Sequence, residues 1–239
     1  MSVLGPILAR TPVARIADVV ACMTAIDQAL PPSDGISCFN KLYLTVTQHV
    51  LGAVGNTTFG DPAFLAALDI NFANLYFAAL SRFEAGGDDT PRAWMPLFEA
   101  RSSRTIAPIQ FALAGMNAHI NRDLPVGLVT TFAATGSAPS AGSVQHQDFQ
   151  RVNALLAAAE TEVKDDYLDP LARKLDVAFD GVDDVVAMWS VAAARQAAWT
   201  NGEVMWRLRG MGPIAQDYLA ALDRSVGFAA RGLLVSTGA

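Results

Sequence analysis

Apolar residues recur at helical spacing along almost the whole chain. In the first segment they fall at Val13, Ile16, Val20, Met23, Ile26 and Leu30, behind Thr11-Pro12, a cap residue followed by proline at the first helical position. Pro31-Pro32-Ser33-Asp34-Gly35 ends that helix, and a second runs from about 36 to 53. Asp61-Pro62 repeats the cap-and-proline signal and opens a third helix, which stops at Gly86-Gly87. Thr90-Pro91 opens a short fourth with Trp94, Leu97 and Phe98. A fifth covers roughly 106 to 123, where Pro125 stops or kinks it. Ser143 caps a sixth to about Tyr167, and Asp183-Asp184 starts a seventh to about Leu208. Gly210 to Pro213 separates it from the last, which ends near Leu234. Residues 127–132 have a strand-like run but sit in an alanine-rich helical context. The expectation is an all-α fold: one domain, 1–239, of about eight helices, with the fifth, sixth and seventh packed centrally. The Gly136–Gly142 segment is its clearest surface loop.

Against this apolar background, polar residues on apolar faces are the informative ones. At about 100° per residue, His119, Asp123, Met116, Ile120, Leu113, Asn117 and Asn121 fall around one arc of the fifth helix. Ala114, Ala118 and Arg122 fall on the other. An unpaired buried polar group costs about 1–3 kcal/mol, so these side chains either satisfy one another or face a cavity. His119 and Asp123 stand four apart and can meet. An aspartate beside a histidine raises the imidazole pKa and orients one ring nitrogen, which is an acid–base arrangement. In the seventh helix Arg195, Trp199, Gly202 and Trp206 share a stripe, with Gly202 leaving room for something flat. A guanidinium there needs a partner, either Asp123 or an anionic or enolate oxygen of a ligand. His146 lies in the first turn of its helix, where the dipole favours neutral imidazole. Gln150 and Asn153 follow it on one face, and Arg151 pairs with Asp148. His49 falls on an apolar face and reads as a packed core residue.

Composition narrows the classes. The chain has 239 residues, 52% hydrophobic and 17% charged, with a net charge of −6. It is therefore neither disordered nor equipped to neutralise phosphates, so nucleic acid is not an expected partner. No apolar run in this reading approaches the roughly 18 residues of a membrane span. The start has no basic region of the kind a signal peptide carries, and Cys22 and Cys38 read as buried thiols of a cytoplasmic protein. Nucleotide-binding glycine motifs, the Gly-x-Ser-x-Gly elbow and His-Glu-x-x-His are all missing.

The stretch Gly115-Met-Asn-Ala-His-Ile-Asn-Arg-Asp-Leu-Pro125 resembles the signature of a bacterial all-helical family classed as a domain of unknown function. Phe39-Asn-Lys-Leu-Tyr43, Phe59-Gly-Asp-Pro62, residues 146–153 and Ala194–Trp199 fit it as well, so the resemblance spans about 35 to 208. It implies an all-α fold and groups His119, Asn121, Asp123, His146 and Arg195. Arg122 departs from the pattern, which implies a dispensable position.

The expected function is a small enzyme without cofactor, running acid–base chemistry in an apolar pocket. Elimination, conjugate addition or cyclisation of a hydrophobic, polyketide-like metabolite fits, making it a lyase or cyclase. His119, Asp123 and Arg195 are the expected catalytic groups, with Asn117, Asn121, His146 and Trp199 binding substrate. No metal is expected, because three scattered histidines make a weak ligand set. The alternatives are a metal-dependent hydrolase using His119, Asp123 and His146, and a non-catalytic binder of an apolar ligand. A homodimer is compatible with the sequence.

Overall fold

Proline placement and side-chain caps account for most helix boundaries. The structure, a computed structural model, describes residues 2–54, 59–153, 156 and 190–236. Among them there is no strand, and the fold is all-α. After a short turn of helix, α1 (Gly5–Leu8), come α2 (Ile16–Ala29), α3 (Gly35–Val54), α4 (Pro62–Glu84) and α5 (Met95–Ala100). Then follow α6 (Pro108–Ala118), a π-helical turn (His119–Asp123) and α7 (Leu124–Thr135). The remainder is α8 (144–153), α9 (Val191–Leu208) and α10 (Pro213–Leu233). The expected sixth helix beyond 153 and the start of the seventh at Asp183-Asp184 lie largely or wholly outside the described residues.

Asp61 caps α4, accepting the Phe64 amide at 3.0 Å, and Ser143 and Ser190 cap α8 and α9 as N-cap residues do. Two proline signals behave differently. Thr11-Pro12 does not open α2, because the Asn74 side chain holds both the N–H and the C=O of Val13 (2.8 and 2.9 Å). That tie keeps residues 11–15 out of the helix, which begins at Ile16. After Thr90-Pro91 the chain makes a turn whose Arg92 and Ala93 amides are taken by the Asp223 carboxylate of α10 (2.8 and 3.1 Å). Helix α5 then starts only at Met95.

Of the two outcomes expected at Pro125, a stop or a kink, the stop does not occur: the helix runs on past it. Proline has no N–H to donate and its ring crowds the carbonyl four residues back. The chain answers with a wider turn over His119–Asp123, in which the Leu124 amide reaches the His119 carbonyl five residues back. Helix α7 continues through 127–132 to Gly136, a left-handed cap at φ 66°.

The α6–α7 rod is the centre of the fold, contacted by α3, α4, α5, α9 and α10. Helix α6 is buried nearly all round, Ala114 and Ala118 included, so its supposed outer arc faces protein too. Gly115 lets α3 come so close that a Cβ there would lie 2.3 Å from the Phe39 ring. Gly202 of α9 sits against Leu128, where an added Cβ would be at 3.2 Å. The room expected beside its tryptophans is therefore taken. The Asn117 amide donates to the Val226 carbonyl (3.0 Å) and Gln110 donates to those of Leu233 and Val235, docking α10. Cys22 and Cys38 are buried thiols, and burial pushes both up to about 11.

One reading of apolar length needs correction. Helix α4 has 23 residues and a mean hydropathy of 1.5 over its most apolar window, long and apolar enough to cross a membrane. Half of that window is buried inside the protein, as in a core helix.

Replacing Gly115 by Ala should force the α3–α6 contact apart and destabilise by about 1–3 kcal/mol, the usual range for overpacking. Gly232→Ala, with nothing within 4 Å of the new Cβ, should leave the thermal melt unchanged or raise it slightly.

Candidate functional site

The π-helical turn places a carboxylate and an imidazole inside the aromatic core. Asp123 is fully buried and accepts three contacts. Its Oδ1 takes the Arg122 guanidinium at 2.6 Å, and its Oδ2 takes the Trp94 indole N–H at 2.9 Å and lies 3.3 Å from His119 Nδ1. An ionised carboxylate only accepts, so Nδ1 carries the imidazole hydrogen and Nε2 keeps its lone pair. That Nε2 is buried and has no protein partner. The ring stacks on Phe72, with centroids 3.4 Å apart and planes at 7°, and meets the edge of Tyr43 at 4.4 Å.

The imidazole lines a cavity of about 80 Å³ between α3, α4, the π-turn, α8 and the start of α9. Its walls are mostly apolar, among them Leu42, Leu68 and Met116. Asp69 and Arg195 join His119 as its charged or titratable members besides Tyr43. Burial is the leading cause of every shift there. It lowers the His119 pKa, against the pull of Asp123, so the expectation of a raised value is overturned. It lowers Arg195 to about 9 and raises Asp69 to about 7. Burial first, then Asp69, holds the Tyr43 hydroxyl well above its ordinary range, so it stays protonated.

The expected catalytic trio is only partly assembled in one cavity. His119 and Arg195 share the wall, whereas Asp123 stands behind His119. Arg195 is not the partner of Asp123: its Nε donates to Asn153 Oδ1 (2.8 Å), one terminal nitrogen donates to the Phe149 carbonyl (2.9 Å), and the guanidinium lies 4.0 Å from the Phe149 ring centroid. Arg122, taken as dispensable, is the counter-ion of Asp123 and also approaches Asp223 (3.5 Å), tying the turn to α10.

The expected substrate-binding residues do not line the cavity. Asn117 turns to α10 and accepts the Asn121 amide at 3.0 Å, which is a structural network. Trp199 donates to Glu203 (3.0 Å) and packs on Phe132 and Phe149. His146 packs on Trp199, and its Nδ1 accepts the Gly142 amide (3.0 Å). It connects to Arg195 only through Gln150 and Asn153, a polar ladder along α8. The Arg151–Asp148 pair is present at 2.7 Å, and Asp148 also accepts the Gly60 and Asp61 amides. The His119, Asp123 and His146 set of the hydrolase alternative is thus not gathered around one point, and among the described residues no group of three or more metal-ligating side chains could hold an ion. The side chain of His49 lies outside the described residues.

Sequence reasoning missed Asp69, Tyr43 and the role of Trp94. Asp69 carried the right signal: it is the only acidic residue between 62 and 83, inside an apolar helix. Its Oδ2 is buried without a partner, and so is the Tyr43 hydroxyl.

A profile of a family of unknown function (DUF5995) matches residues 16–236, and the chain belongs to that family. No curated protein and no solved structure is detectably similar to it.

The two cavity acids should leave opposite marks on stability. His119 is held neutral in the fold while the unfolded imidazole takes a proton below about 6.5, so its contribution is full above that pH and is lost as pH falls. Asp69 keeps a proton up to about 7 in the fold against 3.8 unfolded, so its contribution is full at low pH and is lost as pH rises to about 7. Thermal melts across this range should show His119→Gln gaining on the wild type on acidification and Asp69→Asn gaining on it towards alkaline pH. Parallel curves would contradict the assignment.

Proposed function

We propose that this chain is an enzyme that moves protons without a cofactor on a small apolar substrate, or on the apolar reacting end of a larger one such as a polyketide-like metabolite. The observation that carries the reading is the bare, buried Nε2 of His119, left with its lone pair because Asp123 takes Nδ1, on a ring that belongs to the wall of an apolar cavity. A base needs this: a lone pair, a fixed ring, and surroundings that do not neutralise it with water. Asp123 is a positioning residue. Arg195 supplies positive potential at the cavity wall for an oxygen that gains charge as the proton leaves.

The size of the cavity limits the fit. About 80 Å³ is well below the roughly 300–1,000 Å³ of drug-sized ligand sites, so a few heavy atoms enter. Dehydration, conjugate addition and cyclisation all begin or end with proton transfer beside a carbonyl, and each fits a lyase or cyclase.

The test is a panel of β-hydroxy ketones, enones and short polyketide-like thioesters, followed by mass spectrometry. His119→Gln should lower turnover by about 10²–10⁴-fold, the range for a positioned acid or base. Arg195→Lys keeps the charge but loses the planar fork that holds Asn153 and Phe149, and should also be impaired. A folded His119→Gln variant that turns substrate over like the wild type would overturn the proposal.

A further inference from the structure

Asp69 is the cavity group that this chemistry leaves unused. It lies on α4 one helical turn before Phe72, the residue stacked on His119. Asp69 belongs to the wall of the same small cavity, and its Oδ2 is buried with no protein partner. A molecule small enough to fill that space meets both His119 and Asp69. The groups facing Asp69 are Tyr43 from α3, His119 from the π-turn with Asp123 behind it, and Arg195 from α9.

We propose that Asp69 is the catalytic acid that works opposite His119, and that the pair interconverts the keto and enol forms of a small apolar carbonyl compound. This rests on the reading of His119 as the base. Nε2 takes a proton from the carbon beside the carbonyl. The C–H electron pair becomes the C=C bond, and the C=O π pair moves to oxygen. That oxygen takes the proton of the Asp69 carboxyl. The products are the enol, an imidazolium and a carboxylate, and net charge is conserved. Reversal returns a proton to carbon, so no oxidant, reductant or leaving group is needed.

Burial supports the assignment by keeping Asp69 protonated up to about 7, where an ordinary carboxyl has long lost its proton. A group in that range is matched to both giving and recovering a proton near neutrality. Tyr43, on the same wall, stays protonated and does not compete for the proton.

The experiment uses the full chain in D₂O with butanone as probe, and follows loss of the proton signals beside the carbonyl by NMR. The wild type should accelerate deuteration, His119→Gln should return it to background, and Asp69→Asn should lower it about 10–10²-fold. The wild-type rate should also fall as pH rises through about 7, and this limb should vanish in Asp69→Asn. A second measurement needs no variant to fold: the Asp69 carboxyl ¹³C resonance of the wild type should titrate near neutrality and move when butanone is added. Exchange in folded Asp69→Asn as fast as in the wild type, with His119→Gln at background, would overturn the role of Asp69 and leave the base in place. Wild-type exchange at background overturns the keto–enol assignment. If a thioester or enone is still turned over through His119, the wider reading survives. A carboxyl that titrates in the ordinary aspartate range, indifferent to butanone, also overturns it.

Discussion

Burying the Asp123 carboxylate is the constraint around which the centre of this protein is arranged. An ion of this kind costs several kcal/mol to bring out of water unless charge and hydrogen bonds compensate it. Here Arg122 brings the charge, and Trp94 and His119 bring N–H groups from the turn before α5 and from the same π-helical turn. Arg122 extends the set to Asp223, which in turn caps the turn at Arg92 and Ala93. One buried charge therefore pins the π-turn, the tryptophan and α10 to each other. With both Asp123 oxygens committed as acceptors, the His119 tautomer follows. Its other nitrogen is left buried without a partner.

The cavity applies the opposite pressure. It disfavours charge on every titratable wall group, pushing Asp69 up and His119 and Arg195 down. Behind the wall, Arg122 already balances the Asp123 carboxylate. The imidazole is thereby relieved of the task of neutralising its neighbour and remains a free base, in contrast to an isolated Asp–His pair. Opposite charges that do form across so apolar a space attract more strongly than in water, which favours a proton moving from one wall to another through a bound molecule.

Helix content, most helix starts and the His119–Asp123 pair were legible in the chain, because capping and four-residue spacing are local. Arg195 was legible as a cation on an apolar stripe, but its partners, Asn153 and the Phe149 carbonyl, belong to another helix and were not. The wheel drawn over residues 113–123 misplaced Arg122 and joined Asn117 and Asn121 to His119. It assumed one helical phase across a turn that Pro125 widens, and it assumed a solvent side that α6 does not have. The indole of Trp94 reaches Asp123 across 29 residues of sequence, a contact no local pattern announces. Asp69 was readable by the criterion that picked out His119, a polar residue against an apolar face, but it stood alone where the other formed a cluster.

The account turns on the protonation of one ring. Long-range ¹H–¹⁵N correlation of the wild-type imidazoles, assigned with His119→Gln, reads both nitrogens of His119 directly. Near pH 7 the account predicts a pyrrole-type Nδ1, bonded to hydrogen, and a pyridine-type Nε2, with the imidazolium forming only below the ordinary histidine pKa. An imidazolium at that pH, or a hydrogen on Nε2 in place of Nδ1, would contradict it.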